Sequence, residues 1–213
     1  VIILNLNEKG EVMSNHPKIL CLAGSLRRDS FNKKLVKVAM AAAQEAGAET
    51  TYIDLKDYPM PIYDGDIEAE SGIPENAQKL KKIMKEHQGL LIASPEYNSS
   101  VSGALKNFID WTSRPEKGEK SIEAFTGKVA GIMACSPGAL GGLRGLVTLR
   151  SILGNIAVVV VPEQHAIGKV AEAFTQDGKL KEEKDQQAVA KIAKRVTQLT
   201  KAIIESEMVV KTS

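Results

Sequence analysis

Five short apolar runs, each separated from the next by a stretch of helical periodicity, constrain this chain of 213 residues more than any other feature. The runs are residues 18–23 (KILCLA), 49–55 (ETTYIDL), 90–93 (LLIA), 127–135 (GKVAGIMAC) and 156–161 (IAVVVV). Short, largely apolar and bounded by glycine, proline or polar residues, they read as strands, the more continuous ones covered on both faces. Between them apolar residues recur at helical spacing. Leu35, Val38, Ala39 and Ala42 precede Gly47; Ala77, Leu80, Ile83 and Met84 precede Gly89; Leu105, Phe108 and Trp111 follow Gly103. Residues 143–153, closed by Gly154, form a fourth helix, and residues 185–205 carry a last stripe at Val189, Ile192, Val196, Leu199 and Ile203. Five strands alternating with five helices, each crossover right-handed, give an α/β chain with a doubly wound five-stranded parallel sheet. The flavodoxin-like strand order 2-1-3-4-5 sets the loops after strands one, three and four side by side, at the sheet edge where such folds carry ligands.

Those three loops hold the polar residues that chemistry needs. Residues 24–32 (GSLRRDSFN) leave strand one with a tight turn at Gly24, short donors at Ser25, Ser30 and Asn32, and a charged fork at Arg27 or Arg28, just ahead of a helix. That set suits a phosphate. It equally suits an ordinary helix start with Ser30 or Asn32 as N-cap and two exposed arginines. Neither G-x-x-x-x-G-K-[ST] nor G-x-G-x-x-G occurs at this position, which disfavours a Walker-type or dinucleotide site there. The loop after strand three, Ser94-Pro95-Glu96-Tyr97-Asn98-Ser99-Ser100, is polar around one tyrosine. The loop after strand four, residues 136–142 (SPGALGG), is crowded with small residues, so either a ligand or a neighbouring element comes close to its backbone. Residues 56–74 form a long Pro-rich connection with a turn signal at Asp64-Gly65, a candidate lid or an edge wrapping.

Composition removes several function classes. A net charge of +2, from 28 basic and 26 acidic residues scattered along helices, argues against a nucleic-acid partner. No apolar run reaches the ~18 residues that span a bilayer, and no secretory pattern opens the chain, so a soluble, cytoplasmic protein with no membrane partner is expected. His16, His87 and His165 show no ligand spacing, and no metal is expected. Cys21 and Cys135 lie on strands one and four, about two strand spacings (~9.6 Å) apart, too far for a disulfide.

Three motifs occur in order: Gly24-Ser25-Leu26-Arg27-Arg28-Asp29-Ser30-Phe31-Asn32; Pro95-Glu96-Tyr97-Asn98; and Gly103-Ala104-Leu105-Lys106-Asn107 continuing through Asp110-Trp111 to Ser113-Arg114-Pro115. With them the chain resembles the NADPH-dependent FMN reductase family, which includes quinone, chromate and azo-dye reductases, over about residues 18–204. The resemblance implies a single flavodoxin-like FMN-binding domain over residues 18–213, with residues 1–17 as an N-terminal extension. It implies FMN as cofactor and NADPH as hydride donor. The phosphate would sit with Ser25, Arg27, Ser30 and Asn32; the ring would lie against Pro95, Glu96, Tyr97 and Asn98, flanked by Ser136, Gly138, Gly141 and Gly142. Flavin carries the chemistry in such an enzyme, so no residue is nominated as catalytic.

Three functions from different classes remain. One is an NAD(P)H oxidoreductase passing hydride through FMN to a small-molecule acceptor: a quinone, flavin, azo compound or oxidised metal ion. Another is a flavodoxin-type electron carrier without its own NADPH oxidation, which a strongly one-signed surface would favour and this near-neutral chain does not. A cofactor-free interaction module is a third. The helix over residues 103–112 carries Ala104, Leu105, Phe108, Ile109 and Trp111, a broader stripe than one sheet contact requires. That breadth predicts a homodimer or homotetramer built on this helix, with Trp111 either anchoring the interface or buried in the core.

Overall fold

A computed structural model of the chain describes residues 16–211, with side chains as far as residue 206. Most of the extension expected over residues 1–17 falls outside that range. Its last two residues already join the sheet edge: the Glu49 N–H donates to the Pro17 carbonyl at 3.0 Å, and His16 Nδ1 lies 3.1 Å from the Gly47 carbonyl.

Strands β1 (Lys18–Ala23), β2 (Glu49–Asp54), β3 (Gly89–Ala93), β4 (Val129–Cys135) and β5 (Val159–Ile167) form one parallel sheet in the order β2-β1-β3-β4-β5. The apolar runs are continuous because alternate residues feed two cores. Ile19, Cys21 and Ala23 of β1 face one cluster, Leu20 and Leu22 the other, and β3 divides in the same way into Leu91 and Ala93 against Leu90 and Ile92. Helices α1 (Phe31–Glu45) and α6 (Glu183–Lys211) cover the first face. The second is covered by α3 (Glu75–Lys85), α4 (Gly103–Thr112) and α5 (Leu143–Asn155).

Three expectations change. The fifth strand does not stop at Val161. Pairing with β4 jumps from Val160 to Gln164 through a bulge, and β5 runs on to Ile167. Pro162 lies in the bulge, where its missing N–H costs no ladder bond, and the Arg150 guanidinium reaches the carbonyls of Val160 and Val161 at 3.3 and 2.9 Å. Second, the connection over residues 56–74 contains a helix, α2 (Gly65–Ser71), and Asp64 caps it by accepting from the Asp66 N–H at 2.8 Å.

Third, the stripe on α4 is filled from within the chain. Leu105, Phe108, Ile109 and Trp111 are at most 3% exposed. The sheet takes one side of the helix and the 56–74 connection takes the other. Trp111 packs with Ile73 and Ala77, meets the Tyr63 ring edge-on at 5.0 Å between centroids, and donates its indole N–H to the Pro61 carbonyl at 2.8 Å. The breadth of the stripe therefore reflects two intramolecular contacts, and it is no ground for an interface on this helix.

Candidate functional site

The loops after β1, β3 and β4 are stitched into one surface by bonds between residues far apart in sequence. The Gly24 N–H donates to the Ala93 carbonyl and the Ser94 N–H to the Met133 carbonyl, both at 2.9 Å. Ser102 caps α4 by accepting from the Leu105 N–H at 3.2 Å and donates its own proton to the Gly24 carbonyl. Gly24 has to be glycine for this seam to close: a Cβ there would stand 2.9 Å from the Leu105 Cβ.

In the first loop, Ser25 and Ser30 are buried while Leu26, Arg27 and Arg28 are exposed. Ser30 is the N-cap of α1, yet its hydroxyl makes no cap bond, and the first turn of α1 carries no acidic residue. An anion placed here meets a helix N-terminus, two short hydroxyls and a guanidinium. Asn32 has a different occupation. Its Nδ2 donates to the Cys135 carbonyl at 3.0 Å and its Oδ1 accepts from the Cys135 N–H at 3.1 Å, which ties α1 to the end of β4. Oδ1 and one Nδ2 hydrogen are thus engaged in the frame, and the second Nδ2 hydrogen is left over. Lys33, which sequence reasoning passed over, is buried and paired with Asp54 at 2.5 Å, fixing α1 to the end of β2.

The loop after β3 is a two-residue hairpin. Tyr97 and Ser100 exchange backbone hydrogen bonds at 3.0 and 3.1 Å, while Asn98 and Ser99 sit at φ 52° and 66°. Both central residues in the left-handed region define a primed turn, whose own bonds leave the N–H groups of Asn98 and Ser99 out of the pairing. Pro95 is buried, whereas Tyr97 is 50% exposed. Glu96 holds the start of α5: its carboxylate accepts the N–H of Arg144 and Gly145 at 3.0 and 3.2 Å and pairs with the Arg144 guanidinium at 2.7 Å. A carboxylate at a helix N-terminus is favoured by the orphan donors there.

The small residues after β4 are explained mainly by the chain itself. At Gly141, φ +63°, a Cβ would fall 2.5 Å from the Ile167 carbonyl carbon, and at Gly142, φ +95°, 2.8 Å from the Ala134 Cβ. The Ser136 N–H donates to the Ile167 carbonyl at 3.0 Å, so the loop is laid along the end of β5. Gly138 is open, and with Glu96, Ser136, Leu140, Gly142 and Arg144 it lines an open cleft of about 260 Å³ between the second and third loops. Burial pushes the Cys135 thiol up to about 12, so it supplies no thiolate to the site. Among the described residues, no three His, Cys, Asp or Glu side chains come together as a metal site.

An open parallel sheet with three ligand-facing loops at one carboxyl edge, a phosphate-compatible helix start and a small-residue cleft beside it defines a flavodoxin-like mononucleotide-binding protein. Comparisons with known proteins narrow the class. The family model for NADPH-dependent FMN reductase matches residues 17–172. A quinone reductase of Escherichia coli K12 is 35% identical over 165 residues, covering 75% of this chain and 81% of its own. An NAD(P)H-dependent FMN reductase of Pseudomonas aeruginosa is 32% identical over 179 residues, covering 83% and 91%. Among solved structures, the flavoenzyme NAD(P)H:(acceptor) oxidoreductase FerB of Paracoccus denitrificans superposes with a TM-score of 0.71 at 28% identity, covering 87% of this chain and 98% of that one. The chain belongs to the NADPH-dependent FMN reductase family, an oxidoreductase family with FMN as cofactor and NADPH as hydride donor. No described helix is long and apolar enough to cross a membrane.

Proposed function

We propose that the protein is an NAD(P)H:quinone oxidoreductase that holds FMN across the three loops and reduces small aromatic acceptors. When bound, FMN supplies the hydride-accepting and hydride-donating chemistry. The observation that carries the reading is the start of α1, where the buried Ser30 hydroxyl makes no cap bond and the first helical turn holds no carboxylate. Ser25, Ser30 and Arg27 would hold the phosphate. Asn32 would act one step back, keeping α1 in place through Cys135. The unpaired N–H groups of the 98–99 turn suit the polar edge of a planar ring, and the half-exposed Tyr97 suits an apolar face. Glu96 would keep the second and third loops at a fixed separation through α5. Pro95, Ser136, Gly138, Gly141 and Gly142 complete the surround, Gly141 by letting the loop lie close to the end of β5 and Gly142 by letting it lie against Ala134 of β4.

Quinone is the preferred acceptor because the two charges of the cleft, Glu96 and Arg144, are paired with each other, and Leu140 on its wall offers apolar contact. The exposed Tyr97, Leu143 and Val147 beside it make a homodimer or homotetramer through this rim the proposed working unit, in place of one through α4. Two buried cysteines that stay free agree with a reducing, cytoplasmic setting.

Steady-state assays of NADPH and NADH against quinones, free flavins, azo dyes and ferric or chromate salts test the proposal. Ping-pong kinetics with quinone turnover by the isolated chain are expected. A chain that takes up FMN yet oxidises neither nucleotide without a separate reductase is a carrier, and the proposal fails.

A further inference from the structure

At the other end of the sheet, where β3 and β4 begin, lies a second cavity of about 180 Å³. Lys85 and His87 reach it from the end of α3, Lys128 from the residue before β4, and Thr200, Ile203 and Ile204 from α6. Lys128 is 7% exposed, and its ammonium donates to the His87 carbonyl. Among the described residues no carboxylate pairs with it. That is unusual here as well as in general, since a buried ammonium without a counter-charge is costly. The other buried lysines among the described residues have one: Lys33 pairs with Asp54, and Lys81 with Glu116 and Glu119. Burial accordingly pulls Lys128 down to about 8.

A second observation points to the same cavity. Thr200 is 1% exposed and its Oγ1 has no hydrogen-bond partner, whereas the Thr197 hydroxyl, one turn earlier, donates to the Ala193 carbonyl. The remaining polar groups are already engaged. His87 has Nδ1 2.7 Å from the Ile83 carbonyl, which only accepts, so Nδ1 carries a proton; Nε2 lies 2.8 Å from the Thr51 hydroxyl, and burial pulls the ring's pKa down, against the charged form. Lys85 is paired with Glu119 and Glu123. What is left over is one buried positive charge and one buried hydroxyl.

We propose that this cavity is a binding site for a small oxyanion of phosphate size, held by the Lys128 ammonium and the Thr200 hydroxyl and closed on one side by Ile203 and Ile204. Its volume is several times the ~30 Å³ share of one water, so a tetrahedral anion enters with bridging waters, while a nucleotide does not fit. The site stands independently of the cleft at the carboxyl edge, on the far side of the sheet.

The test uses FMN-saturated protein, so that any phosphate site of the cofactor is already filled. Thermal unfolding is followed in phosphate, sulfate and acetate, each against sodium chloride at matched ionic strength. The expected result is a saturable rise in melting temperature with phosphate or sulfate, at least fivefold weaker in apparent affinity for Thr200→Val and absent for Lys128→Met, with flavin absorbance and NADPH oxidation unchanged in both variants. A rise confined to acetate would identify a carboxylate site and overturn the oxyanion assignment. An equal rise in chloride, or one that survives both substitutions, would refute the site altogether. Should Lys128→Met fail to fold, calorimetric titration of phosphate into wild-type and Thr200→Val holoprotein decides: no saturable heat in the wild type, or the same affinity in both, sinks the proposal.

Discussion

Replacing Asn32 with alanine separates a frame residue from a cofactor ligand. Its amide makes two buried bonds, at 3.0 and 3.1 Å, to the carbonyl and N–H of Cys135, and both residues are at most 4% exposed. Each neutral hydrogen bond contributes about 0.5–1.5 kcal/mol, and a buried group left without its partner costs about 1–3 kcal/mol. Two backbone groups of Cys135 are stranded together, but a water in the vacated space recovers part of the loss, so about 3 kcal/mol is expected. That is a large share of the roughly 5–15 kcal/mol by which domains are stable, and at about 2–4 °C per kcal/mol for a chain of this size it lowers the melting temperature by roughly 6–12 °C. Urea unfolding should be run on both FMN-free and FMN-loaded protein. A frame role predicts that the FMN-free protein already suffers the full loss. If that protein kept its wild-type stability and only FMN affinity fell, Asn32 would be a direct ligand and the reasoning from its Cys135 bonds would be refuted.

Four further outcomes are expected. Arg27→Ala removes one charge-assisted hydrogen bond, about 1.5–3 kcal/mol, and weakens FMN binding roughly ten- to a hundredfold by fluorescence titration, while Arg28→Ala leaves it unchanged. Tyr97→Ala alters the flavin absorbance spectrum and slows NADPH turnover; a variant unchanged in both would take Tyr97 out of the site. Trp111→Phe keeps the ring packing but loses the Pro61 bond, so the 56–74 connection becomes easier to cut by limited proteolysis while the oligomeric state by light scattering stays the same. For Glu119, desolvation opposes the charged form, but the Glu116 N–H and the Lys81 and Lys85 ammoniums outweigh it and hold the carboxyl down to about 2 from an ordinary 4.5. A depressed carboxyl stabilises the fold above its unfolded value, so Glu119→Gln is less stable than wild type at neutral pH, and the gap should close as pH falls from about 4.5 to about 2.

What the sequence made legible was whatever depends on local pattern. β1 and β3 were readable because both of their faces are apolar, and α1 because Leu35, Val38, Ala39 and Ala42 repeat at helical spacing. α2 was not, since none of its residues is buried and no stripe marks it. The Asp64-Gly65 pair looked like a turn because a helix cap and a turn use the same residue types. β5 was cut short at Pro162 because the partner that organises the bulge, Arg150, sits on α5 and leaves no trace in the strand itself. At the candidate site the polar residues could be found but not assigned. The bonds that decide the roles of Asn32 and Glu96 span 103 and 48 residues.

That pattern bears on how the site is built. Asn32, Glu96, Gly141 and Gly142 look like ligand residues by type, yet Asn32 ties α1 to the end of β4, Glu96 holds the start of α5, and the two glycines make room for Ile167 and Ala134. On the proposed reading, the groups that meet the cofactor are less engaged in the frame: the Ser30 hydroxyl at the start of α1, the Ser25 hydroxyl in the loop before it, the exposed Arg27, and the backbone of the 98–99 turn. That turn is held at positive φ in two non-glycine residues, which costs of order 1–3 kcal/mol each and persists only where the surroundings over-determine it. Here the surroundings are Glu96 bound to α5 on one side and the Tyr97–Ser100 pair closing the hairpin on the other. The strain is thus met in the folding of the FMN-free chain, and little ordering remains to be done when the cofactor arrives.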